Sequence, residues 1–303
     1  MTSPMMRTQF RSIVEPILNE VFDGVYDQRK DEWKAIFDES QGTKRSYHEE
    51  PVMYAFGAAP ELPDAEPITY ASGGVLFIKR YVYKVYGLAF ALSRTLVEDG
   101  DHIRLGSIFS KALAQSLVET KELECANILN RAFNGSFTGG DGVALNANNH
   151  PIQGGTFSNL LPVAANLSQT SLEQMLIQIR NAVDNNGKRI RLNPKCLVVA
   201  PDNMFQAETL LNSTLRTGTA NNDINPVKSM GMLSEVCTMT RLSSPTAWWI
   251  KTDAPEGLKM LMRRKMDRGT EGDFETDSVR YKATERWSVG WTDPRVMFGT
   301  PGI

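Results

Sequence analysis

The sequence predicts a mixed α/β fold of the α+β kind, on three observations. A stripe of apolar residues at helical spacing runs through 104–133, far longer than an average globular helix. A helix–strand–helix order follows it between 168 and 212. Runs rich in valine, isoleucine, tyrosine and tryptophan fill 75–92 and recur between 235 and 299, as strands do. The 303 residues leave room for about two domains, or one with a large subdomain.

The elements follow in order. Ile13, Val14, Ile17, Leu18, Val21 and Phe22 recur at helical spacing. Trp33, Ile36 and Phe37 do so again after Gly24, which predicts two short helices, with Pro16 as a start or a kink. Residues 40–75 carry Pro51, Pro60, Pro63 and Pro67 and read as an extended excursion with turns. It is either an arm for a partner or a twisted hairpin over its own core. The stretch VLFIKRYVYKVYGLAFAL (75–92) carries the strongest strand signal, with neither face wholly polar. Ser93 or Asp99 would cap the long helix, whose stripe includes Leu105, Leu113, Leu117, Ala126 and Phe133. The glycine- and asparagine-rich stretch 134–160 reads as turns. Ser168 or Ser171 caps a helix that Gly187 would end. CLVVA is then a short strand and PDNMFQAETLLN a helix. Strand character returns at 235–242, 247–252, 258–264 and 278–299. Adjacent Trp248 and Trp249 on a strand point to opposite faces.

Several function classes are disfavoured. The formal net charge is −2, unlike a strongly basic nucleic-acid binder or a polyanionic linker. The opening MTSPMMRTQF lacks a secretory pattern, and no run of about 20 apolar residues predicts a membrane span. Cys125, Cys196 and Cys237 are odd in number and widely spaced, which fits reduced thiols in cytoplasm-like conditions. His48, His102 and His150 show no ligand spacing, so neither a metal nor another cofactor is expected. GGDG (139–142) and Gly187-Lys188 lack the context of phosphate-binding loops. His150, with Asp141 and Ser136 nearby, is a possible general base, but a turn histidine fits the loop better. The acidic clusters at 49–50, 61–66 and 98–101 could do acid–base chemistry only across a cleft that nothing predicts, and in 61–66 they read as solvated or salt-bridging groups. The basic run Arg263, Arg264, Lys265 and Arg268 is flanked by acids. It reads as an exposed hairpin or a subunit contact, and suits a nucleic-acid groove poorly.

Taken in order, these stretches resemble the major capsid protein of tailed double-stranded DNA bacteriophages, the Hong Kong 97-type capsid fold. Residues 40–80 look like its extended loop and 104–133 like its spine helix. His150-Pro151 followed by Gly154-Gly155-Thr156-Phe157-Ser158-Asn159 is similar to its glycine-rich connection. Leu197–Pro201 and Asn225-Pro226 resemble parts of its axial domain, and 277–298 its return through the peripheral domain. The resemblance implies an N-terminal arm (1–39), an extended loop (40–80), a peripheral domain (81–164), an axial domain (165–276) and a return segment (277–303). It implies no enzyme activity. The expected role is self-assembly as hexamers and pentamers into an icosahedral virion shell, built in the host cytoplasm around DNA held without sequence recognition. Expected partners are other copies, a scaffolding protein, a portal and, in some relatives, a decoration protein. No membrane partner is expected. The implied contact residues are Phe22, Trp33, Glu61, Asp64, Glu66, Tyr81, Tyr83, Arg263 and Arg264. Some relatives form isopeptide cross-links. Lys44, Lys79 and Lys84 lie near the extended loop, and none is assigned that role. A nanocompartment shell of the same fold, a tail or connector protein, and an unrelated α/β enzyme remain alternatives.

Overall fold

A computed structural model describes residues 7–28, 31–64, 67–93, 102–216, 223–233, 235–272 and 278–303. Helix α1 (Arg7–Gln28) leads to a 3₁₀ turn (Glu32–Ala35) and strand β1 (Asp38–Gln41). Strands β2 (Tyr47–Tyr54) and β3 (Gly74–Val82) pair as an antiparallel hairpin, and β4 (Lys84–Leu92) follows. The spine helix α2 (His102–Asn130) has 29 residues, roughly 44 Å at 1.5 Å per residue. After the short pair β5 (His150–Ile152) and β6 (Gly155–Phe157) come α3 (Gln169–Arg180), β7 (Pro194–Val199), α4 (Met204–Asn212) and α5 (Pro226–Met230). Strands β8 (Glu235–Thr238), β9 (Trp248–Thr252), β10 (Leu258–Gly272), β11 (Val279–Trp291) and β12 (Met297–Thr300) close the chain.

The strands form two main sheets. One has the order β1-β10-β11-β4, with β1 parallel to β10 and the rest antiparallel. The other has the order β12-β9-β7-β8, with only β7 and β8 parallel. Trp248 and Trp249 show how one strand serves two cores. Both are buried, Trp249 in a core with the spine's Cys125 and Leu129, Trp248 in a second core with Leu172 and Leu210 of α3 and α4. The opposite-face expectation holds, and both faces are interior. A third cluster packs Leu18 and Phe22 of α1 against Leu113 and Leu117 of the spine and Tyr281 of β11.

Several expectations need correction. Residues 8–38 do not form two helices. α1 runs through both Pro16 and Gly24, and Trp33 sits in the 3₁₀ turn. An interior proline and a glycine together cost a helix about 4 kcal/mol, which the burial of Leu18 and Phe22, at about 1.5–3 kcal/mol each, offsets. Ser168, not Ser171, is the N-cap of α3. Its Oγ accepts from Ser171 N at 3.2 Å while Ser171 Oγ accepts from Ser168 N at 2.9 Å. That helix ends at Arg180, well before Gly187. Asp184 makes the competing structure, its carboxylate accepting from the N–H groups of Asn186 and Lys188 at 2.8 and 2.9 Å. Gly187, at φ +80°, closes that turn. The basic run 263–268 is not a hairpin tip but lies inside β10, a strand of 15 residues. Asp99, named as a cap, and Glu66 lie outside the described residues.

Candidate assembly surfaces

The β2–β3 hairpin is an arm whose base is fixed by a polar cluster. Glu50 accepts from Lys259 Nζ at 2.8 and 2.9 Å and from Thr292 Oγ1 at 2.6 Å. His48 Nε2 lies 3.1 Å from the same carboxylate, and Tyr81 OH meets Thr292 Oγ1 at 2.5 Å. Burial opposes ionisation of Glu50, but the bonds from Lys259 and Thr292 outweigh it and hold the carboxyl below its usual range. Burial pushes the Tyr81 phenol well up, so it stays protonated. The base of the arm is therefore joined to β10 and to the end of β11.

Further out, the arm touches the unit built on the second sheet. Asn185 Nδ2 donates to Met53 O at 2.8 Å, Asn186 Nδ2 to Ala55 O at 2.9 Å, and Lys188 Nζ to Phe56 O at 3.1 Å. These donors come from the turn that Asp184 organises. From this contact out to the tip the arm exposes large apolar side chains: Met53 62%, Phe56 61%, Ile68 72% and Tyr70 96%. Carrying this many on one short segment is unusual for a surface that stays in water.

The predicted contact residues divide into three groups. Phe22, Trp33, Tyr81 and Tyr83 are buried within this chain's own cores, so the chain itself uses the apolar surface that was expected to face a neighbour. Glu61 and Asp64 are exposed on the arm tip. Arg263 and Arg264 are engaged within the subunit. Arg263 donates to Lys44 O at 2.7 Å and lies over the Tyr83 ring. The exposed Arg264 donates to Thr284 Oγ1 at 2.8 Å.

Four polar groupings that sequence reasoning missed organise the body. Asn159 is buried, donates through Nδ2 to the carbonyls of Leu145, Pro294 and Met297, and accepts from Ala147 N. Asn146 donates to Met297 O at 2.9 Å and accepts from Trp249 Nε1 at 3.1 Å. Lys121 and Glu285 form a buried ion pair of 2.7 Å, and Tyr26 OH donates to the same carboxylate at 2.7 Å, fixing α1 to the spine and β11. Burial, with the Glu285 carboxylate, pushes the Tyr26 phenol well up. The fourth is the Glu50 cluster. Asparagines in a turn-rich stretch look alike, and these partners lie more than a hundred residues apart in several cases, so local patterns could not reveal them.

His150 does meet Asp141, with Nδ1 to Oδ2 at 2.6 Å and both side chains buried. Ser136 instead sits in an exposed turn, its N–H donating to Asn134 Oδ1. The pair closes the 139–150 loop on itself and offers no nucleophile. No group of metal-binding side chains occurs among the described residues. No helix among them is long and apolar enough to cross a membrane.

The spine helix, the two sheets and the projecting hairpin together make an architecture that can be compared with known proteins. A family model described as phage capsid protein matches residues 79–298. The chain belongs to the phage capsid protein family. Solved structures show the same fold at low identity. The capsid of cyanophage P-SCSP1u aligns with a TM-score of 0.59 and 10% identity, over 88% of this chain and 86% of that one. The mature capsid of bacteriophage PhiM1 gives 0.52 and 10%, over 90% and 87%. A virus-like particle from Pyrococcus furiosus gives 0.51 and 10%, over 94% and 98%. No curated protein matches the sequence. The chain is thus a structural, capsid-type protein of mixed α and β fold, and the arm and the outer faces of its sheets and helices are the surfaces of interest.

Proposed function

We propose that this chain is the major capsid subunit, assembling as hexamers and pentamers into an icosahedral shell that encloses double-stranded DNA. The observation that carries the reading is the arm. It is anchored at its base by Glu50, Lys259 and Thr292, yet it presents Phe56, Ile68 and Tyr70 uncovered. A second copy laid against the tip would remove that surface from water, at about 25 cal/mol per Å² of apolar area. Many such weak contacts repeated by symmetry close a shell. On this reading 1–39 is the N-terminal arm, 40–80 the extended loop, 81–164 the peripheral domain, 165–276 the axial domain and 277–303 the return segment. Assembly takes place in the host cytoplasm with a scaffolding protein and a portal, and a decoration protein is an optional addition.

Electron microscopy of the protein expressed alone, and then with its neighbouring genes, tests the reading. Closed particles of uniform size support it, and monomers or small rings in both conditions refute it. Replacing 57–72 by a short Gly–Ser turn keeps the Glu50 anchor. That variant should remain soluble with an unchanged melting temperature and form no shells. Normal shells from it would remove the arm from the assembly contacts.

The similarity to the Pyrococcus furiosus virus-like particle, over nearly the full length of both chains, favours one second reading, a protein compartment of the same fold. Nucleic acid extracted from purified particles distinguishes the two. Packaged double-stranded DNA supports the virion shell, and a protein cargo without DNA supports the compartment.

A further inference from the structure

Between the arm's base and the C-terminal end of the spine lies a cavity of about 170 Å³. Its polar lining is Lys79 of β3, Asn127 and Arg131 at the end of α2, and Thr138. Phe137 and Trp291 supply aromatic walls. Gly139 lets the loop lie directly on the Trp291 indole, since a Cβ there would stand 2.0 Å from the ring.

Every charged group in this lining is a cation. Lys79 Nζ sits 5.3 Å from the Trp291 ring centroid and 5.9 Å from that of Tyr81. The Arg131 guanidinium lies 4.5 Å from the centroid of Phe137. Neither side chain makes a hydrogen bond or a close ion pair among the described residues, and each lies against a ring face. The acid that reaches Lys79 electrostatically is Asp141, and its carboxylate is already taken by His150 at 2.6 Å and by the N–H of Val143 at 3.1 Å. Burial drives the Lys79 ammonium below its usual range, and the charge of Asp141 offsets only part of that effect. Aromatic faces return only part of that cost. The Asn127 amide and the Thr138 hydroxyl also make no side-chain hydrogen bond among the described residues.

We propose that this cavity binds an oxyanion, a phosphate or carboxylate group, held between Lys79 and Arg131. A guanidinium fork and an ammonium in one lining, with a hydroxyl and an amide among the same lining residues, are the donor set that such anions require. The volume suits it. One water needs on the order of 10–15 Å³ of such space, so an ion of about five heavy atoms fits. Two sources share this chemistry, a free anion and the carboxylate of a second copy. The second rests on the shell reading above, and the first does not.

Purified full-length subunits are titrated with inorganic phosphate at constant ionic strength, and thermal unfolding is followed. The wild type should show a saturable rise in melting temperature, since a ligand that binds only the folded state stabilises it. Lys79→Met should lose that rise, and Arg131→Gln, at an exposed position, should bind phosphate about tenfold more weakly. A linear, unsaturable rise would overturn the proposal, as would an equal rise in both variants. Repeating the titration on assembled particles separates the sources. A rise that persists identifies a free anion, and one that vanishes identifies a neighbour's carboxylate that has already filled the cavity. Failure of assembly leaves the subunit titration, and with it the proposal, fully testable.

Discussion

Lys121 and Glu285 show how much a single residue can decide in this fold. Their side chains are 8% and 1% exposed and 2.7 Å apart. Removing one partner strands a buried charge, which costs about 3–5 kcal/mol, whereas replacing both with apolar groups is often nearly neutral. Lys121→Met should therefore lower stability by that amount in denaturant unfolding, and Lys121→Met with Glu285→Leu should recover most of it. Glu50 gives a pH dependence of definite sign. Its folded carboxyl titrates below its ordinary value of 4.5, so its contribution is complete above that pH and disappears as pH falls through the folded value. The melting-temperature gap between wild type and Glu50→Gln should shrink as pH falls below about 4. A gap that widens in acid would contradict the assigned cluster.

At the scale of elements, the arm and the 184–188 turn act together. Asp184 and Gly187 shape the turn, and Asn185, Asn186 and Lys188 grip the carbonyls of Met53, Ala55 and Phe56. Each exposed bond of this kind is worth at most about 1 kcal/mol. Asn186→Ala with Lys188→Ala should therefore speed limited proteolysis within 55–73 by up to about thirtyfold, with the melting temperature of the body unchanged. An unchanged cleavage rate would mean that the turn does not restrain the arm. The spine is the other decisive element. Its stripe of Leu113, Leu117, Cys125 and Leu129 meets α1 near one end and the two sheets farther along, which explains a helix about two and a half times the average length.

For the whole molecule, the shared core matters most. Trp249 of the second sheet and Trp287 of the first belong to one cluster with Cys125 and Leu129 of the spine, and Asn146 and Asn159 tie the 145–159 loop to β12. The two sheets should therefore unfold together. Trp249→Ala should cost about 3–5 kcal/mol, and the fluorescence and far-ultraviolet circular dichroism transitions should shift together. Two separated transitions would show that the sheets are independent units.

The sequence by itself determined the elements that rest on local patterning. The spine helix, the CLVVA strand, a serine cap for α3 (Ser168 or Ser171) and the two-faced tryptophan pair were legible because spacing and capping are properties of neighbouring residues, whereas Asn225-Pro226, read as a turn, starts a short helix. The order of these elements also carried the resemblance to phage capsids. Tertiary structure decided what depends on distance along the chain. It carried α1 through Pro16 and Gly24, because Leu18 and Phe22 had a core to enter. It placed Tyr81 and Tyr83 inside and left Phe56, Ile68 and Tyr70 outside, a division that composition does not encode. It brought Glu50 to Lys259, and Lys121 to Glu285. A buried charge is stable only when folding delivers its partner from elsewhere in the chain.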